Sequence, residues 1–250
     1  MKKLAVFLTT LLAAALVAGS AALAAFIDFE TVPGGWPSDK LAITGQYEAT
    51  HGVTFSLSNR GGNPYLEKTG DADSGTGFLN DALSQYDVAA PGYEPLLGDY
   101  FLRLGTGGLL SVPVPRLIIG YTDPVSGASA QIWDIDGHSN GTEQWRVQTF
   151  DSSDILTGDI YSPAGTTHGA GSLDGLPWTW SFSHASADIS RIEISFTGSK
   201  TSGIGLAFDN FNTSSAAPVP EPATLLLLGM GLAGLRFTHR RKKKAAVHGL

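Results

Sequence analysis

Three groups of residues in this chain have side chains and spacings that could do chemistry. The first lies near the carboxyl terminus. Pro220, Glu221 and Pro222 precede an uncharged apolar run, residues 223–235, and a basic cluster of Arg236, Arg240, Arg241, Lys242, Lys243 and Lys244. Prolines hold a backbone extended, the form in which a protease groove accepts a peptide. The run is thirteen residues long. As a helix it would span about 20 Å, against a bilayer core of about 30 Å. Snorkelling by Arg236 and Arg240 would stretch the membrane segment to residues 223–239, and the cations would keep that end cytoplasmic. Such a segment halts export and parks a protein in the inner membrane for a time, but it makes a poor permanent span.

The second group is aromatic. Trp36, Trp133, Trp145, Trp178 and Trp180 offer faces that stack on pyranose rings, with carboxylates and amides to bind the hydroxyls. Trp178, Trp180 and Phe182 fall on one strand face and read as core. Trp36, between Gly35 and Pro37, reads as an exposed ligand-binding residue. The third group is acidic. Asp134, Asp136, Asn140 and Glu143 crowd "DIDGHSNGTE", and "GDADSGTG" stands at 70–77. Neither fits the twelve-residue calcium-loop spacing. Both also suit plain turns, where Asp, Asn and Gly serve the backbone.

These groups need elements to position them. Residues 1–24 open with Lys2 and Lys3, continue through an apolar stretch and end in small residues with an Ala22-Leu23-Ala24 cleavage pattern. That is a secretory signal peptide, a helix removed on export by signal peptidase. The 250-residue chain has no cysteine, so disulfides cannot stabilise the exported part. The formal net charge is −7, but eight of the sixteen Lys and Arg sit in the two ends. The remaining eight cations face twenty-two carboxylates, a formal charge of −14. A surface so acidic excludes nucleic acid as a partner and leaves oxygen ligands for calcium.

Between the ends the dominant pattern is period-two alternation. "HGVTFSLS", "EQWRVQTFD", "WTWSFSH", "RIEISFTG" and "IGLAFDNFN" each place alternate apolar residues on one face. "FIDFE", "YFLRLG", "RLIIGY" and "AQIWDID" add four more candidates, and no segment keeps a helical period. Nine such strands predict an all-β fold, an antiparallel β-sandwich of jelly-roll type over residues 25–211. The glycine-rich, acidic stretch 59–99 predicts a long loop, functional or mobile, with a short helix near 80–86. Residues 212–219 read as a linker.

Two resemblances sharpen this reading. Pro220-Glu221-Pro222, the apolar run and the basic cluster look like the PEP-CTERM sorting signal of Gram-negative bacteria, here residues 220–244. The resemblance implies recognition and removal of the tail by an exosortase, a membrane cysteine-type transpeptidase, and an association with exopolysaccharide and biofilm. "FIDFE" and "GLAFDNFN" resemble the first and last strands of jelly-roll modules of the carbohydrate-binding type. That resemblance implies a structural calcium with Glu30 and Asp209 among its ligands.

The sequence therefore predicts a non-enzymatic exported protein of the cell surface or extracellular matrix, with a binding or structural role linked to exopolysaccharide. The alternative is a secreted carbohydrate-active hydrolase, for which no nucleophile context or defined carboxylate pair is legible.

Overall fold

The computed structural model describes residues 25–58, 62–69, 89–105, 110–166 and 173–214. All lie in one compact unit, Leu23–Ala216. The expected signal helix (1–24), the apolar segment (223–239), the sorting residues and the short helix near 80–86 lie outside the described residues. Among the described residues, no helix is long and apolar enough to cross a membrane.

Alternating side chains produce antiparallel ladders here because strands such as β2 and β10 bury one face and leave the other partly in solvent. The larger sheet contains β1 (Ala25–Ile27), β3 (Tyr65–Lys68), β4 (Tyr100–Arg103), β7 (Gly127–Ile135), β12 (Leu173–Ser183) and β15 (Ala207–Ser214). Its order is β12-β7-β15-β4-β3, with β1 also pairing β15. The second sheet contains β2 (Val53–Leu57), β6 (Leu117–Val125), β10 (Trp145–Phe150), β11 (Leu156–Tyr161) and β13 (Ile189–Phe196), in the order β11-β10-β13-β6-β2. Two small ribbons pair β5 (Leu110–Ser111) with β14 (Ser202–Ile204) and β8 (Gly137–His138) with β9 (Gly141–Thr142). The chain passes repeatedly from one sheet to the other, as the predicted jelly-roll sandwich requires.

The core lies between the sheets. Trp145, Val147, Ile192, Ile194, Val53 and Phe55 face Ile132, Trp180, Phe208 and Phe211. Edge-to-face aromatic pairs lock it, with Trp145 5.6 Å from Phe208 and Phe55 5.1 Å from Phe211 between ring centroids. Trp178 and Phe182 pack against the same core, as their shared stripe predicts. A smaller cluster covers the opposite face of the larger sheet, where Ala89 and Leu97 close over Phe101, Trp133 and Ala207.

The structure corrects several expectations. "FIDFE" is a strand only to Ile27, because Phe29 turns the chain through a left-handed φ of 60°. Glu30 is therefore in the loop beyond the strand. "IGLAFDNFN" is two strands, β14 and β15, with Gly205 and Leu206 between them. Residues 212–214 are strand and not linker, since Asn212, Thr213 and Ser214 pair with Ser129, Ala128 and Gly127 of β7. The stretch 59–99 contains β3 and a helical turn at Glu94–Leu97. β11 is an edge strand with no buried residue, and such a strand shows no apolar alternation in sequence.

Candidate functional site

Glu30, in the loop after β1, and Asp209, on β15, come from the two edges of the domain and lie near enough for the Glu30 charge to act on the Asp209 carboxyl. A bulge between Asp209 and Asn212 sets the local shape, with Asn210 at a left-handed φ of 56°. Asp209 is 1% exposed. Burial pushes its carboxyl well above the ordinary carboxylate range; nearby Asp28 and Glu30 add to this, while the Asn210 backbone N–H opposes it. That N–H donates to Oδ1 of Asp209 at 2.7 Å. Oε1 of Glu30 accepts from the backbone N–H groups of Asp99 and Tyr100 at 2.7 and 3.0 Å. Gly98 adjoins them at φ 66°, where a Cβ would collide with the Glu30 carboxyl. Asp28 Oδ1 accepts from the Glu30 N–H at 3.2 Å. The three carboxyls are thus electrostatic neighbours. Among the described residues, no three His, Asp or Glu side chains converge closely enough to be read directly as a metal cage.

"DIDGHSNGTE" folds into the β8–β9 ribbon and its flanks. It directs two carboxyls at a lysine distant in sequence. Lys200 Nζ lies 2.9 Å from Oδ1 of Asp136 and 2.9 Å from Oε1 of Glu143. An ammonium thus takes the cation's place between these two carboxyls. Glu143 is fully buried, and besides Lys200 the Gly205 backbone N–H also acts on its carboxyl and favours the charged form. Burial pushes the Glu143 carboxyl up to about 8, against the pull of Lys200 and with the help of Asp136. Burial thus favours the neutral form of Glu143, while the Asp136 side chain, 24% exposed, lies nearer to solvent. Gly141 permits the close approach, since a Cβ there would lie 2.6 Å from the Lys200 backbone nitrogen. Asn140 donates to the Ser202 carbonyl and holds the ribbon in place.

The outward face of the second sheet carries a different arrangement. Arg146 donates to both oxygens of Asp159, at 2.8 and 2.7 Å, and its guanidinium stacks 5.4 Å from the Tyr161 ring centroid. Arg191 stacks 4.5 Å from the Phe150 ring centroid and donates to Glu193 and Asp154. Arg116 donates to the same Glu193 at 2.6 Å. Three guanidinium planes and three carboxylates give a polar, charge-balanced strip, with Ile155, Leu156 and Tyr161 exposed beside it. Alternation shows which face these residues occupy. The pairing order that assembles the strip was not legible.

The tryptophans separate as expected. Trp133, Trp145 and Trp180 are buried, whereas Trp36 is 89% exposed on the loop after β1. A backbone bridge between Val32 and Gly35 holds the base of that loop.

No curated protein matches the chain. Among solved structures, the chain is similar to the K2 cleaved adhesin domain of Lys-gingipain, at 10% identity over 77% of this chain and 99% of that one, with a TM-score of 0.41. It is also similar to the CBM22-1 xylan-binding domain of Paenibacillus barcinonensis Xyn10C, at 13% identity over 80% of this chain and 99% of that one, with a TM-score of 0.34. A third is TmCBM61 in complex with β-1,4-galactotriose, at 11% identity over 68% of this chain and 93% of that one, with a TM-score of 0.33. One family model matches, the PEP-CTERM protein-sorting motif, over residues 218–242. Those residues hold Pro220, Glu221, Pro222, the apolar run and the cations as far as Lys242, so this chain carries at its carboxyl-terminal end a PEP-CTERM sorting motif, a mark of export and exosortase processing in Gram-negative bacteria.

Proposed function

We propose that the sandwich is a non-catalytic polysaccharide-binding domain, delivered by signal peptidase and exosortase to the cell surface or extracellular matrix. There it holds exopolysaccharide and contributes to a biofilm. The observation that carries this reading is Trp36. A large aromatic face stands almost wholly in solvent, while three other tryptophans of the chain are buried. Solvating such a face brings no stability, and stacking on a sugar ring removes it from water. The inner membrane is a transient partner, occupied only until the tail is cut.

A structural calcium belongs to the same reading, with Glu30 and Asp209 as ligands and Asp28 beside them. The buried Asp209 carboxyl lacks a formal countercharge in the arrangement described, and a divalent ion with carboxylate and carbonyl ligands would supply one. The ion would neutralise this corner of the fold and take no part in sugar chemistry. Rising melting temperature on calcium addition, reversed by EDTA, is the expected outcome. Indifference to both removes calcium from the proposal.

The test of binding is electrophoretic retardation in gels containing exopolysaccharide from an exosortase-bearing bacterium, with reducing-sugar release measured in parallel. Wild-type protein is expected to be retarded without releasing sugar. Trp36→Ala is expected to lose about tenfold or more in affinity, the size of a stacking hot spot. Undiminished retardation of the variant would refute the role of Trp36, and released sugar would establish the hydrolase alternative.

A further inference from the structure

Lys200, Asp136 and Glu143 form a reactive arrangement that sugar binding does not use. The amine nitrogen is within hydrogen-bond distance of both carboxyls, at 2.9 Å in each case. Lys200 is 6% exposed and Glu143 is fully buried, so bulk water barely reaches the nitrogen. Asp136 follows β7 of the larger sheet, and Lys200 follows β13 of the second sheet. The two side chains therefore meet where the segments that follow these strands come together, 64 positions apart in sequence. The exported chain has no cysteine with which to make any other covalent tie.

From this geometry we propose that Lys200 and Asp136 condense into an intramolecular side-chain amide, with Glu143 as the catalytic proton shuttle. A proton first passes from the Lys200 ammonium to the Asp136 carboxylate, which leaves a neutral amine and a neutral acid. Nζ then attacks Cγ of Asp136. Protonated Glu143 donates to the carbonyl oxygen as charge develops there and takes up a proton from the nitrogen. The new C–N bond has then formed; Glu143 donates its proton to one hydroxyl, whose C–O bond breaks so that it leaves as water through the exposed side of Asp136, and takes the proton of the other hydroxyl as the amide C=O re-forms. One ammonium and one carboxylate become one amide and one water, with no oxidant or co-reactant. Holding amine and acid in contact replaces a bimolecular encounter, an advantage that reaches an effective concentration of about 10⁵–10⁸ M in well-oriented systems. Protonated Glu143 fits the shuttle role, because burial favours its neutral form.

The test is mass spectrometry of the full-length chain, purified folded in mild detergent and then denatured. The wild-type mass is expected to fall short of the sequence mass by one water. Its tryptic map should lack cleavage after Lys200 and contain one branched peptide linking Asp136 to Lys200. Lys200→Arg and Glu143→Ala should each restore the full mass. Full mass and cleavage at Lys200 in the wild-type protein would overturn the proposal, whatever the variants do. So would a water loss with free Lys200, because Asp136 precedes Gly137 and cyclisation of that pair to a succinimide also expels water. A branch from Glu143 would overturn the assignment of Asp136 as acceptor, and a linked Glu143→Ala variant would overturn the shuttle.

Discussion

Replacing Asp209 by Asn tests the electrostatics of the calcium corner. Asn is isosteric and keeps the oxygen that accepts from the Asn210 N–H, so packing and that hydrogen bond survive. The charge does not. Asp209 is 1% exposed, and burial raises its folded pKa, with Asp28 and Glu30 adding to the rise. A carboxyl whose folded pKa is raised binds its proton more tightly in the folded than in the unfolded state. Stability is then greatest below the unfolded value near pH 4 and is lost as pH climbs towards the folded value. Within that window the loss is at most about 1.4 kcal/mol per pH unit. For a sandwich of this size that is a fall of about 3–5 °C in melting temperature per unit. The assay is differential scanning fluorimetry from pH 4 to 8 in EDTA and in calcium. Wild-type protein in EDTA should lose stability as pH rises, and Asp209→Asn should hold a flatter profile. Calcium should flatten the wild-type curve and leave the variant unmoved. Identical pH profiles for the two proteins in EDTA would show that Asp209 is not an uncompensated buried charge, and the reasoning would fail.

Other perturbations read the scaffold and the tail. Trp180→Ala opens a cavity at a residue 1% exposed and should destabilise by about 3–5 kcal/mol in chemical denaturation. Gly98→Ala places a Cβ against the Glu30 carboxyl in a left-handed backbone and should destabilise by about 1–3 kcal/mol, with the calcium response weakened. Changing Pro220, Glu221 and Pro222 together to Ala, in an exosortase-bearing host, should leave an uncut chain in the inner membrane, detectable by an antibody against residues 236–250. Efficient tail removal from that variant would show that the triplet is not what the processing enzyme reads.

Much of the sandwich was legible because alternation is a local property. Val53 and Phe55, or Trp145 and Val147, announce a strand and its buried face without reference to anything distant. The exposed Trp36 was legible for a related reason, since a tryptophan between Gly35 and Pro37 belongs to a turn-rich stretch with no apolar alternation to bury it. The strand "FIDFE" was overextended because nothing in its composition shows the left-handed turn at Phe29. The residues around Asp136 and Glu143 show turn chemistry and carboxylates but not Lys200, because the cation that answers them comes from 57 and 64 positions away.

Composition, local periodicity and the order of the terminal segments by themselves determined an exported, acidic, cysteine-free β-sandwich with a sorting motif at its end. Each of those properties is carried by neighbouring residues. Tertiary structure alone decided which charges meet: Glu30 near Asp209, three guanidiniums on one sheet face, and an amine between two carboxyls. Those encounters depend on strand order and on bulged or left-handed backbone positions such as Phe29, Gly98 and Asn210, and sequence-distant side chains converge only when packing of the apolar faces fixes that order.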